Sequence, residues 1–146
     1  MVRIITDTSS MYSSAEAEAA GFAVAPLQIS VGGTTYRELN EIGSDEFVQL
    51  LAQGQMPTSS QPALSDVMAL YEACGEDEAL NIAMADGLSG TYATAVAARE
   101  LVANGNRIEV INTGTLCGPH RYMVEIAAKM ARAGATLQQI KDKCTR

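Results

Sequence analysis

Ser89 stands between Leu88 and Gly90 at the start of an alanine-rich stretch, and this placement is the clearest hint of chemistry in the chain. A hydroxyl followed by glycine at a helix amino terminus lets backbone N–H groups and the helix dipole meet an anion closely, and a carboxylate suits such a site. Gly87-Leu88-Ser89-Gly90 also resembles part of a GxSxG nucleophile elbow, with His120 as base and Asp7 or Asp86 as orienting acid, although the second glycine is out of place. His120 is the only histidine, and beside Pro119 at a helix start it reads as a surface residue. Asp7 follows the first strand, where an acid can meet a ribose, a metal or a phosphoryl group. No second carboxylate stands at metal-ligand spacing, so a turn or cap role is expected of it.

Four segments share one composition: residues 6–10, 58–61, 89–91 and 112–115 are rich in hydroxyls and amides and contain no Lys or Arg. Ser, Thr, Asp and Asn are also the usual residues at helix starts, so capping alone is the competing account of each segment. Neither GxxxxGKS/T nor GxGxxG occurs, which argues against a nucleotide site.

The elements that must carry these segments alternate. Ile4 and Ile5 form a short buried strand leading to a helix that Gly21 ends. The β-rich residues 22–31 are interrupted by Pro26, and Gly32-Gly33 offers a two-residue hairpin turn whose second strand includes Tyr36, a sheet-edge excursion. Ser44 is placed to cap a helix with Asp45 and Glu46 in its first turn, an apolar stripe of Phe47, Leu50 and Leu51, and Gly54 at its end. Pro62 suits the first position of the next helix, striped by Leu64, Val67, Met68 and Tyr71, which makes residues 58–61 its leading loop.

Leu80, Ile82 and Met84 alternate with small residues in a strand, and residues 107–111 make another. The helix after the latter is opened by Pro119, striped by Met123, Ile126, Ala127 and Met130, and closed by Gly134. Thr136 with Gln139 makes a capping box for a last helix carrying Leu137, Ile140 and Cys144 on one face. Repeated β-loop-α units predict an α/β fold with a parallel sheet covered by helices on both faces, a Rossmann-like three-layer domain. Ligands of such sheets bind beyond the carboxyl ends of the strands, where the hydroxyl-rich segments fall.

With 146 residues and 47% hydrophobic content, the chain is expected to form one compact unit over residues 1–146. Ten basic against seventeen acidic residues give a net charge of −7, which speaks against nucleic acid as a partner. Cys74, Cys117 and Cys144 are scattered with no CxxC pair, as fits free thiols in a reducing compartment, so a cytoplasmic location is expected. No apolar run reaches membrane-spanning length, and no signal-peptide pattern opens the chain.

The order and surroundings of these segments resemble the DegV family over all 146 residues. Thr6-Asp7-Thr8-Ser9 is similar to its opening strand-end motif, Pro26-Leu27-Gln28-Ile29 to its Pro-Leu segment, and Gly32-Gly33 through Tyr36 to its hairpin. Ser59-Ser60-Gln61-Pro62 looks like the family's Thr-Ser-Gln-Pro, and Leu88-Ser89-Gly90-Thr91-Tyr92 matches its Leu-Ser-Gly-Thr-Tyr. Ser59 keeps the hydroxyl of the usual Thr, Ala85-Asp86 stand where Ser-Ser is common, and Asn112-Thr113 replace Asp-Ser. Asp86 brings a negative charge within three residues of Ser89.

The resemblance implies a non-catalytic protein that binds one long-chain fatty acid, with no other cofactor and no metal. Ser59 and Ser89 match the positions whose hydroxyls hold the carboxylate, with Ser60, Gln61, Gly90 and Thr91 as supporting loop residues. It further implies that the bound acid is presented to an ATP-dependent fatty acid kinase subunit, which makes the acyl phosphate used in phospholipid synthesis, and it admits transient membrane contact. Family members continue into a second α/β domain that forms the other wall of the lipid tunnel. Arg146 ends inside a helical pattern, so the chain is expected to be the amino-terminal domain of a longer protein. Two other readings follow from the residues alone: a serine hydrolase using Ser89 and His120, and a non-catalytic α/β interaction module in which each hydroxyl segment is only a cap.

Overall fold

The computed structural model describes residues 2–31, 33–39, 41, 42, 44–54, 56–83, 90–115 and 117–144, with Ser9, Ser44, Ser59 and Cys117 described through their backbone. The elements run β1 (Arg3–Asp7), α1 (Ser14–Ala20), β2 (Ala23–Ala25), β3 (Gln28–Val31), β4 (Thr34–Arg37), α2 (Ser44–Ala52), β5 (Thr58–Ser60), α3 (Leu64–Ala73), β6 (Ala79–Ala83), α4 (Thr91–Leu101), β7 (Ile108–Asn112), α5 (Cys117–Arg132) and α6 (Leu137–Cys144). The main sheet is parallel in the order β2-β1-β6-β7. Central β6 is buried at all five positions, which is why its sequence lacks a polar face.

Apolar side chains leave this sheet on both sides. On one face Ile4, Val24, Leu80, Ile82 and Ile111 pack against Ala17 of α1, Val124, Ala127 and Ala131 of α5, and Ile140 and Cys144 of α6. On the other, Ile5, Ala25, Ala79, Ala83, Ile108 and Val110 meet Val67 and Tyr71 of α3 and Ala95 and Ala98 of α4. These two cores make the expected three-layer α/β fold. Tyr71 is the largest side chain sealed inside the second core, and its hydroxyl donates to the Ala95 carbonyl and accepts from Asn81 Nδ2 at 2.8 Å. Among the described residues no helix is long and apolar enough to cross a membrane.

The hairpin does not lie at the edge of the main sheet. It belongs to a separate three-stranded antiparallel sheet, β4-β3-β5, with Val31 opposite Thr34 across the turn and Gly33 at a φ of +80°. β5 corrects the reading of residues 58–61 as a loop, since Ile29 faces Ser59 and Ser30 faces Thr58 in regular pairing. A three-residue strand without alternation carries no period of its own, and only its partner defines it.

Local signals fix several helix ends. Ser13 and Glu16 form a capping box for α1, and Gly21 closes that helix at a φ of +89°. Thr136 and Gln139 exchange the two expected capping hydrogen bonds ahead of α6. α3 starts at Leu64, two residues later than Pro62 implies, because Ala63 is extended with ψ of 136°. α5 starts at Cys117, two residues earlier than expected, and takes Pro119 into its first turn, where the missing N–H has no intrahelical partner to lose. The Phe47, Leu50 and Leu51 stripe of α2 is not buried as its periodicity suggests: Phe47 and Leu50 are half-buried, and Leu51 is exposed.

Candidate functional site

The chain leaves β1 for β2 on one side and comes back to β6 on the other, so the direction of winding reverses between β1 and β6. In open sheets of this kind ligands bind beyond the carboxyl ends of the strands at such a reversal. The buried polar residues of the domain concentrate at this end. Thr6, Asp7, Thr8 and Ser10 follow one another through β1 and the 3-10 turn after it, Thr91 begins α4, and His120 lies in the first turn of α5. Among the described residues no buried side-chain nitrogen or oxygen lacks a hydrogen-bond partner, so each of these groups is satisfied within the protein.

His120 is wholly buried, which corrects its reading as a surface residue. With α5 starting at Cys117, position 120 falls on the stripe of Val124, Ala127 and Ala131 that faces the sheet. Its Nε2 lies 2.8 Å from the Ile82 carbonyl and 2.9 Å from Thr6 Oγ1, while Thr6 Oγ1 itself donates to the same carbonyl at 2.8 Å. A carbonyl only accepts, so Nε2 carries the proton and donates. The nitrogen is thereby deprived of the lone pair that a general base needs, which weighs against the Ser89–His120 hydrolase arrangement through Nε2.

A second link joins the two sheets. Thr8 Oγ1 accepts from the Leu27 amide at 3.0 Å and donates to Glu38 Oε2 at 2.7 Å, and the Glu38 amide donates to the Leu27 carbonyl. Ser10 Oγ closes the turn onto the Asp7 carbonyl at 2.8 Å, with Asp7 itself the last residue of β1. Beside this link Met11 and Leu39 hold left-handed backbone, φ of +70° and +65°, with their apolar side chains exposed. Non-glycine residues hold that conformation only where their surroundings enforce it.

Arg121 supplies part of the enforcement. Its guanidinium donates to the Met11 carbonyl at 3.2 Å and lies 3.9 Å from the centre of the Tyr12 ring, with Glu125 as its ion-pair partner. Burial, followed by the hydrogen bond to Glu125, pushes the Tyr12 phenol above its ordinary value. The first turn of α5 thus anchors strands through His120 and the following turn through Arg121.

The residues singled out from the sequence are distributed as follows. Gln61 and Gly90 are together: a β-carbon built on Gly90 would stand 3.1 Å from Gln61 Oε1. Gly90 is the N-cap of α4 and Thr91 its first residue, 4% exposed, so the glycine-headed helix start is present. Ser59 and Ser60 lie on β5, directly before Gln61, and Ser60 is exposed. Ser89 and Asp86, which carry the anion-site and hydrolase expectations, lie outside the described residues. Asn112 to Thr115 form a self-bonded turn, in which Asn112 Oδ1 accepts from the Gly114 amide and Thr113 Oγ1 donates to the Thr115 carbonyl. The Thr113 amide also bonds the Ala83 carbonyl, so this fourth segment serves the turn after β7.

Sequence reasoning missed Glu38, and it named Thr6 only as a member of the hydroxyl-rich segment 6–10. The hidden role of His120 has a signal, because it continues an apolar stripe four, seven and eleven residues ahead of Val124, Ala127 and Ala131. Glu38 has none, since its partner comes from another sheet.

The profile described as "Uncharacterised protein, DegV family" matches residues 1–146. A DegV domain-containing protein of Caldanaerobacter subterraneus is 34% identical over 141 residues, which make up 95% of this chain and 50% of that protein. Among solved structures, the fatty acid binding protein DegV of Bacillus subtilis superposes with a TM-score of 0.87 at 26% identity, over 98% of this chain and 52% of that one. A DegV family protein of Thermus thermophilus, described for its fatty acid binding, superposes with a TM-score of 0.84 at 29% identity, over 98% and 51% respectively. The chain therefore spans about half the length of the relatives it matches. With the profile matched from residue 1 to residue 146, the chain belongs to the DegV family.

Proposed function

We propose that this chain forms one wall of a binding site for a long-chain fatty acid and performs no chemistry on it. The observation that carries the reading is the cluster of buried hydroxyls and the glycine-headed helix start at the carboxyl ends of β1 and β6, in a chain whose structural relatives from Bacillus subtilis and Thermus thermophilus are described as binding fatty acids. Hydroxyls and helix N–H groups orient a carboxylate without neutralising it. The acyl tail supplies most of the affinity, at roughly 0.8 kcal/mol per buried methylene.

In this reading Ser59 and Ser89 hold the carboxylate, with Ser60, Gln61, Gly90 and Thr91 supporting them. Relatives about twice as long support a second domain as the other wall of the tunnel. The finer proposal is that the protein works in the cytoplasm, where it hands the carboxylate to an ATP-dependent kinase subunit for acyl-phosphate formation and phospholipid synthesis. A carboxylate held without a cationic clamp keeps its oxygen nucleophilic, as attack on a phosphoryl group requires.

The test is organic extraction of the full-length protein after purification, with mass spectrometry of the extract, repeated for Ser59→Ala and Ser89→Ala. Stoichiometric fatty acid in the parent and loss in the variants is expected. A lipid-free parent, together with covalent labelling of Ser89 by an activated phosphonate, would replace the carrier reading with the hydrolase.

A further inference from the structure

The geometry points to His120 as a positioning residue for the head-group site: by bolting the carboxyl ends of β1 and β6 to α5, it fixes the strand ends beyond which the ligand's carboxylate is held. This inference rests on the fatty-acid reading of that end of the sheet.

Thr6 and Ile82 face each other in the β1–β6 register, at the last paired position before the two strands part. The next residues, Asp7 and Ala83, pair away from one another, Asp7 with Ala25 and Ala83 with Asn112. Two parallel strands diverging at this point lose the mutual ladder that holds them at a fixed spacing. His120 Nε2 and Thr6 Oγ1 both reach the Ile82 carbonyl here, within 2.8 Å, and they are 2.9 Å from each other. The three groups close a triangle across the gap, and α5 is its third corner.

The triangle is buried at every vertex, with Thr6, Ile82 and His120 all at 0% exposure, so water cannot substitute for a missing member. It is built of polar groups where an apolar contact would satisfy packing alone. The surrounding positions on the same faces are Ile4, Leu80 and Val124, all apolar. Immediately beyond it come Thr8 and Ser10 on one side and the strand end leading to α4 on the other. A side chain placed there sets the separation of the two strand ends, and an aligned site binds a carboxylate better than one whose walls shift.

A head-group role differs from simple fold support in what it does to different ligands. Palmitate and 1-hexadecanol share a tail and differ in head, so misalignment of the carboxylate site weakens the acid selectively, whereas loosened packing weakens both. Displacement of a fluorescent fatty acid from the full-length protein measures the two affinities for the parent, His120→Leu, His120→Gln and Thr6→Val. His120→Leu keeps the volume and removes the donor, and the Gln amide nitrogen restores a donor at the same number of bonds from Cα.

We expect His120→Leu to bind palmitate about tenfold more weakly, with hexadecanol changed less than about twofold and His120→Gln recovering most of the loss. Should His120→Leu not fold, the same acid-over-alcohol selectivity is expected of Thr6→Val. Equal losses for acid and alcohol, or an unchanged palmitate affinity, would overturn the inference while the carrier reading stands. A parent that binds neither ligand would remove the carrier reading and this inference with it.

Discussion

The Gln61 side chain lies across Gly90, leaving 3.1 Å between Gln61 Oε1 and the place a β-carbon would occupy. The end of β5 and the start of α4 therefore meet through one amide and one missing side chain. Gly90→Ala should cost up to about 1 kcal/mol through the poorer cap and push the amide aside. In a Gln61→Ala background only the cap contribution remains. Urea unfolding of the four proteins is expected to give a coupling of about 0.5–1 kcal/mol, and strict additivity would contradict the contact.

Thr8 is the fastening between the two sheets, accepting from Leu27 and donating to Glu38. Thr8→Val preserves shape and leaves the Leu27 amide without its acceptor. A loss of about 1–3 kcal/mol in unfolding free energy is expected, against almost none for Thr35→Val in the exposed hairpin, where Thr35 pairs only with Ser30.

Alkaline pH should destabilise the domain in a defined window. Burial pushes the Tyr71 phenol up to about 12 from 10, against the opposing hydrogen bond from Asn81, and burial lifts the Cys144 thiol to about 11 from 9. Above pH 9 for the thiol and pH 10 for the phenol, the unfolded chain has released protons that the folded chain still holds. Stability is therefore full below those values and falls as pH rises through 11 and 12. Tyr71→Phe is expected to flatten the upper part of the decline, read as the shift in urea midpoint between pH 8 and pH 11 relative to the parent.

Exposure separates the two kinds of apolar position. Val48 on α2 is 61% exposed and Ile82 on β6 is 0%. Val48→Ser should change stability by less than about 0.5 kcal/mol, whereas Ile82→Ala should cost about 2–5 kcal/mol. Comparable losses at the two positions in thermal or urea melts would mean that α2 is packed in solution.

The alternation of strands and helices was legible because its signals are local. Gly21 and Gly134 sit at positive φ where the periodic stripes stop, and Thr136 with Gln139 forms its capping box within four residues. The Gly32-Gly33 turn fixed the hairpin for the same reason. The second sheet was not legible, since β5 exists only through β3, thirty residues upstream. The glycine-headed start of α4 was readable from Gly90 itself. The polar triangle was not, because its members are 114 and 76 residues apart in sequence and a threonine in a strand advertises no partner.

Ala79, Ala83, Ala95 and Ala98 are all sealed where α4 lies against β6 and β7. Methyl groups on both surfaces let the helix and the sheet approach closely and leave no room for a longer side chain. Ala95 and Ala98 stand roughly 6 and 10 Å along the helix axis from Thr91, so an added methylene at either lifts the whole rod and carries Gly90 with it. The placement of the α4 amino terminus is thus inherited from positions remote from it. In evolution the carboxylate site proposed there can drift through silent-looking alanine changes one to two turns away, and a selection that randomises only the residues around Gly90 would overlook those with the longest lever.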